Sequence, residues 1–134
     1  MIKRIAILAA LLLTAASCVD KDQVDPAFMA FDGLGLSIAG QQAFLYDALT
    51  CQYSFNREKK EFRLQTDTTS DYVIALLSDI PAEKGQKLTG ELRWTTERDV
   101  KSKRAALKVI KIENGTVWLW NRNERIGLTV RIPD

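Results

Sequence analysis

No histidine occurs in the 134 residues of this chain. Its absence removes the Ser-His and Cys-His nucleophile pairs, the common imidazole metal sites and the side chain that most often serves as a general base near neutral pH. Carboxylate chemistry stays open. There is no internal repeat and no low-complexity tract, and no apolar run is long enough to cross ~30 Å of hydrocarbon as a helix. The lone Gly33-Leu34-Gly35 makes no phosphate loop, because neither a third glycine nor a helix signal follows it. No residue pattern calls for a cofactor or a metal.

The longest apolar run, Ile5 to Leu13, follows basic Lys3-Arg4 and precedes the small residues Ala15-Ala16-Ser17. That order is the signature of a cleaved signal peptide over residues 1–17. The next residue is Cys18, and Leu13-Thr14-Ala15-Ala16-Ser17-Cys18 resembles the lipobox of bacterial lipoproteins, with Ala15 where leucine is commonest. The resemblance implies that Cys18 becomes the acylated first residue of the mature protein. Asp20 and Asp22 are similar to the acidic export signal of lipoproteins displayed on the outer cell surface. The implied location is the bacterial outer membrane, lipid-anchored and surface-facing, with a periplasm-facing orientation as the alternative. The alternative for Cys18 itself is a plain secretory peptide that leaves an ordinary thiol.

Cleavage removes two of the 19 basic residues and none of the 17 acidic ones, so the mature chain is formally neutral. Nucleic acid binding, which needs clustered positive charge, has no support. With Cys18 acylated, only Cys51 remains, and an intramolecular disulfide is impossible. Residues 18–31 read as lipidated Cys and tether, with Phe28, Met29 and Phe31 beginning the packing, and 32–134 as a single β domain.

The rest of the chain is punctuated as strands. Asn114-Gly115 between Leu107–Glu113 and Thr116–Trp120 is the strongest short-range hairpin signal. It sets Glu113 opposite Thr116, Ile112 opposite Val117, Lys111 opposite Trp118 and Ile110 opposite Leu119. An even-length turn within Asn121–Glu124 then puts Leu119 opposite Ile126, Val117 opposite Leu128, Trp118 opposite Gly127 and Trp120 opposite Arg125. One face becomes aliphatic through Ile126, Leu128, Val130 and Ile132, and the other carries Lys111, Trp118, Trp120, Arg125 and Thr129.

Upstream, Leu34–Ile38 is a short strand, Ala43–Phe55 a long strand bent near Asp47, and Phe62–Thr66 its return across the charged loop Asn56–Lys60. Tyr72–Leu77 is nearly all apolar and reads as a strand buried on both faces, with a short helix as the alternative. Leu88, Leu92 and Trp94 line one face of the next strand, Glu91 and Arg93 the other, and Glu97–Arg104 reads as a charged connection. The class is all-β: an antiparallel meander of about eight strands, as a small up-and-down barrel of lipocalin-like form or a two-layer sandwich. Closure favours the barrel, because it removes exposed edges.

The candidate ligand site is Trp118 and Trp120, whose flat rings can stack on sugars or other flat ligands, with Lys111 and Arg125 to hold anionic groups or lie over the indoles. The competing reading makes this face a second buried layer beneath the N-terminal segment. Trp94 reads as core or as the lining of a barrel cavity, and Cys51 as a small buried hydrophobe. Asp47, Asp67, Asp71, Asp79, Glu91 and Asp99 supply carboxylates for glycoside hydrolysis, but nothing in the sequence places two together.

These residues lead first to a lipid-anchored, non-enzymatic binding protein of the envelope, held to the membrane through its anchor, with a carbohydrate or small amphiphile as ligand. The second reading is a structural or interaction subunit, or an inhibitor, with a protein partner. The third is a small envelope hydrolase.

Overall fold

The computed structural model describes residues 22–30, 33–39, 41–46, 51–66, 71–95 and 99–133. Among the described residues, one short helix, α1 (Pro26–Ala30), precedes nine strands: β1 (Leu34–Ile38), β2 (Gln41–Tyr46), β3 (Cys51–Asn56), β4 (Glu61–Thr66), β5 (Tyr72–Leu77), β6 (Lys87–Thr95), β7 (Val100–Glu113), β8 (Thr116–Asn121) and β9 (Ile126–Arg131). All nine join one antiparallel sheet in the order β2-β1-β9-β8-β7-β6-β5-β4-β3. The meander from β3 to β9 is unbroken, and β1 adds itself beside β9. The expected long strand over Ala43–Phe55 is divided into β2 and β3, and the point of division, 47–50, lies outside the described residues.

The sheet curls into a half-barrel whose inner face is filled by its own side chains. Phe62, Leu64, Val73, Ala75, Leu92, Leu107, Val109, Leu119, Leu128 and Val130 all belong to this one buried cluster. Its continuity follows from the period-two alternation of the strands, which sets apolar residues of neighbouring strands side by side on one face, as in Val73 beside Trp94 and Leu88 beside Leu107. Edge strand β3 curls round to meet β9. The Arg57 guanidinium donates to the carbonyl of Pro133 at 2.6 Å, holding the β3–β4 loop against the chain that follows β9. Within the described residues β2 and β3 share no ladder, so the barrel is not closed there.

Tight loops set the registers. Asn114 (φ 51°) and Gly115 (φ 81°) form the left-handed pair of a two-residue turn, with Glu113 opposite Thr116, Ile112 opposite Val117 and Lys111 opposite Trp118 as the sequence predicts. One residue earlier the pattern breaks. Val109, not Ile110, pairs with Leu119, because a β-bulge inserts Ile110 as an extra residue and turns it to the outer face.

The β8–β9 loop also differs from expectation. Asn121 pairs with Ile126 and its side-chain carbonyl accepts the Glu124 N–H at 2.8 Å, so the four-residue loop is 122–125, closed by Arg125 at φ 55°. Trp118 consequently lies opposite Thr129, Trp120 opposite Gly127, Leu119 opposite Leu128 and Val117 opposite Val130. The loop is still even in length, so the faces are those expected although each partner moves by two. The β3–β4 hairpin repeats the device: Asn56 accepts the Lys59 N–H at 3.0 Å, pairs with Glu61, and leaves Lys60 at φ 55°.

Two further expectations are corrected. Strand β5 is buried on its inner face only: Val73, Ala75 and Leu77 are in the core, while Leu76 is 39% exposed. The supposed connection Glu97–Arg104 is strand from Val100 on, pairing with β6 out to Thr95. Its charged residues are compatible with a strand because they extend past the core, where both faces meet solvent.

Candidate functional site

The outer face of β7, β8 and β9 presents Ile110, Trp118 and Trp120, and residues 22–30 lie across it. Pro26 suits the first position of α1, where a backbone N–H would be unpaired anyway. A five-residue helix has little stability of its own, so α1 depends on what it covers. Phe28, 1% exposed, stacks on Trp120 with ring centroids 5.5 Å apart and planes at 28°. Val24 and Met29 complete a small second core. Polar contacts fasten the segment along its length. The Trp120 indole N–H donates to the carbonyl of Asp22 at 2.8 Å, Lys108 Nζ meets the Asp22 carboxylate at 3.1 Å, and Arg125 meets Asp25 at 2.9 Å.

The expected tryptophan platform is therefore covered. Trp118 is 3% exposed and Trp120 2%, and the stretch read as tether supplies the cover. Lys111 does lie over the Trp118 ring, 4.3 Å from its centroid, and also meets Glu113 at 3.3 Å. Arg125 is spent on Asp25. Trp94 belongs to the other face, 7% exposed within the inner core. Of the five residues expected to bind ligand, four thus gather on the outer face, engaged with the chain's own N-terminal segment or its neighbours, and Trp94 is packed apart from them.

The cover leaves the outer face of β4, β5 and β6 and the adjoining part of β7 open. Registry aligns Glu61, Leu76, Glu91 and Arg104 in one row and Arg63, Ile74, Arg93 and Ser102 in the next. These side chains line a groove of about 490 Å³, a volume in the range of ligand sites. Its floor is apolar, formed by Ile74 and Leu76, and its walls carry three guanidinium groups. Arg63 is ion-paired with Glu61, whereas Arg93 and Arg104 make no ion pair among the described residues. Sequence reasoning put Arg93 on the solvent side of β6 but did not foresee this grouping, because Arg63, Arg93 and Arg104 come from three strands. The alternation of β4, β6 and β7 was the available signal.

A second concavity, of about 590 Å³, opens where the chain enters the domain, between Asp22, Lys87, Lys108, Trp120 and Arg122. Lys87 and Lys108 are direct cross-strand partners.

The carboxylates are dispersed. Asp71 accepts the Thr95 hydroxyl at 3.1 Å, and Asp79 accepts the Ile80 N–H at 2.8 Å. Asp47 and Asp67 lie outside the described residues. Glu61 and Glu91 flank Leu76 on either side, two strands apart or roughly 10 Å between backbones. That separation is at the far limit for an inverting glycosidase, Glu61 is held by Arg63 and Glu91 is exposed, so neither sits in the dry pocket a general acid requires. Cys51 is buried, the setting of an inert thiol. Among the described residues no group of three or more His, Cys, Asp or Glu side chains forms a metal site, and no helix is long and apolar enough to cross a membrane.

No family model matches the chain, and no curated protein or solved structure matches it either. The lipobox-like residues 13–18 lie outside the described residues.

Proposed function

We propose that this chain is a lipid-anchored, non-enzymatic interaction protein of the bacterial outer membrane, which holds a protein partner on the open half of its outer sheet face. The anchor rests on the sequence of residues 1–18. The choice of a protein partner over a sugar or amphiphile rests on one observation: the inner face is filled by core side chains and the tryptophan pair is sealed by residues 22–30, while the groove on β4–β7 is open and unfilled. A ligand stacking on Trp118 and Trp120 would have to displace Phe28 first.

The groove's chemistry describes the partner. An apolar floor with unpaired guanidinium groups on its walls suits a segment that inserts an aliphatic or aromatic side chain over Leu76 and carries acidic residues beside it, since arginine forks pair with carboxylates in two-pronged fashion.

Photo-crosslinking in cells tests this. A photoreactive amino acid replacing Leu76 is expected to give a discrete adduct on the cell envelope. The double charge reversal Arg93→Glu with Arg104→Glu should abolish it, while the same probe at exposed Ile112, remote from the groove, gives none. An adduct that survives the reversal, or appears equally from position 112, would remove the groove from the account.

A further inference from the structure

The place where the chain enters the domain is fixed. Asp22 is clamped through its carboxylate by Lys108, with oxygens 3.1 and 3.4 Å from Nζ, and through its carbonyl by the Trp120 indole at 2.8 Å. Cys18 is four residues upstream, and four extended residues reach at most about 14 Å. The headgroup layer on one side of a bilayer is only about 5 to 8 Å thick. An acyl chain on Cys18 therefore keeps the surface around Asp22 at the membrane. Which side of the domain faces the lipid is set by this short leash and not by diffusion.

That surface is cationic and concave. Lys87 and Lys108 sit directly opposite each other on β6 and β7, an arrangement in which like charges repel. Asp22 offsets Lys108 alone. Lys87 is exposed and its ammonium group makes no ion pair or hydrogen bond among the described residues, and exposed Arg122 completes the rim. The intervening residues Val19, Asp20 and Lys21 carry one charge of each sign, so they add no net charge to the leash.

From this we infer that the concavity bounded by Lys87, Lys108 and Arg122 is a seat for the phosphate of an anionic lipid headgroup, presented to the membrane by the anchor at Cys18. The inference rests on the lipoprotein reading. The seat settles the domain so that the groove on β4–β7, farther from Asp22 along the same face, is held in a fixed attitude to the bilayer. Each cation near an anionic surface strengthens attachment roughly five-fold at physiological ionic strength.

The test uses the chain from residue 18, the form that signal cleavage leaves, with Cys18→Ser so that no acyl chain contributes. Its sedimentation is measured with vesicles of phosphatidylcholine alone and with vesicles containing phosphatidylglycerol. Binding to the second and not the first is expected. Lys87→Gln with Arg122→Gln should weaken it by about 25-fold, one five-fold factor for each cation removed. Lys59→Gln with Lys101→Gln, the same change of net charge elsewhere on the surface, should change it less than either single substitution at the seat. All four residues are exposed, and matching thermal melts verify that the variants are folded. Equal losses in the two pairs, or equal binding to both vesicles, would overturn the seat. Displacement by millimolar inorganic phosphate at constant ionic strength would overturn the lipid as its source. Acyl labelling of Cys18 in cells reports on the anchor separately, so failure of the anchor and failure of the seat are read by different assays.

Discussion

Phe28 lies on Gly127 so closely that a Cβ there would come within 2.6 to 2.7 Å of three of its ring carbons. Glycine at this point of β9 is what lets the N-terminal segment settle onto the sheet and close over Trp120, the cross-strand neighbour of Gly127. Gly127→Ala is expected to destabilise the fold by about 1–3 kcal/mol, the range for overpacking a tight contact. In a Phe28→Ala background the same change should cost much less, because the clashing ring is gone. Chemical denaturation of the four proteins of this cycle measures the coupling, and additive effects would mean that the two residues do not touch.

The cover also controls the tryptophans. In a Trp94→Phe background the remaining emission comes from Trp118 and Trp120, and it should be blue-shifted and poorly quenched by acrylamide. Adding Phe28→Ala, expected to cost about 3–5 kcal/mol if the segment cannot collapse into the space, should shift the emission to the red and raise quenching. Rings already quenchable before that substitution would mean that residues 22–30 do not cover them.

The turn at Asn114-Gly115 gives a third check. Gly115 has φ 81° and its would-be Cβ points toward the Ile132 carbonyl at 3.4 Å. Gly115→Val, which puts a branched side chain in a left-handed conformation, should lower stability by about 1–3 kcal/mol. Gly115→Asn should be milder, since asparagine tolerates that conformation. An unfolding midpoint unchanged by valine would contradict the turn.

The all-β class and most strands were legible because each strand repeats with period two and its hairpins carry their own turn residues. Trp118 shares a face with Lys111 for that reason. The bulge at Ile110 was not legible: nothing local distinguishes Ile110 from Val109, and its outward turn is stabilised by Trp118 and the cover, which belong to distant parts of the chain. The slip of two in the β8–β9 register has a local cause, the Asn121 side chain closing the loop on the Glu124 N–H, and the same asparagine device at Asn56 could have signalled it. Burial of the tryptophan pair needed contacts almost a hundred residues apart, such as Trp120 with Asp22, which periodicity cannot supply. The arginine groove was hidden likewise, because its members share a face only after β4, β6 and β7 are aligned.

In the proposed function, attachment and orientation both depend on an acylated Cys18, so the mass of the mature N-terminus is the most direct test. Protein isolated from the membrane fraction should yield an N-terminal peptide that begins at Cys18 and carries the mass of a diacylglyceryl group on its sulfur. With Cys18→Ser the acyl mass should disappear and the firm membrane association should fall to the weak, salt-sensitive binding that the cationic seat alone supplies, since two or more acyl chains hold a protein at the bilayer far more firmly than surface charge. A mature chain bearing an unmodified Cys18 thiol, or one released from the membrane while Cys18 is intact, would contradict the account.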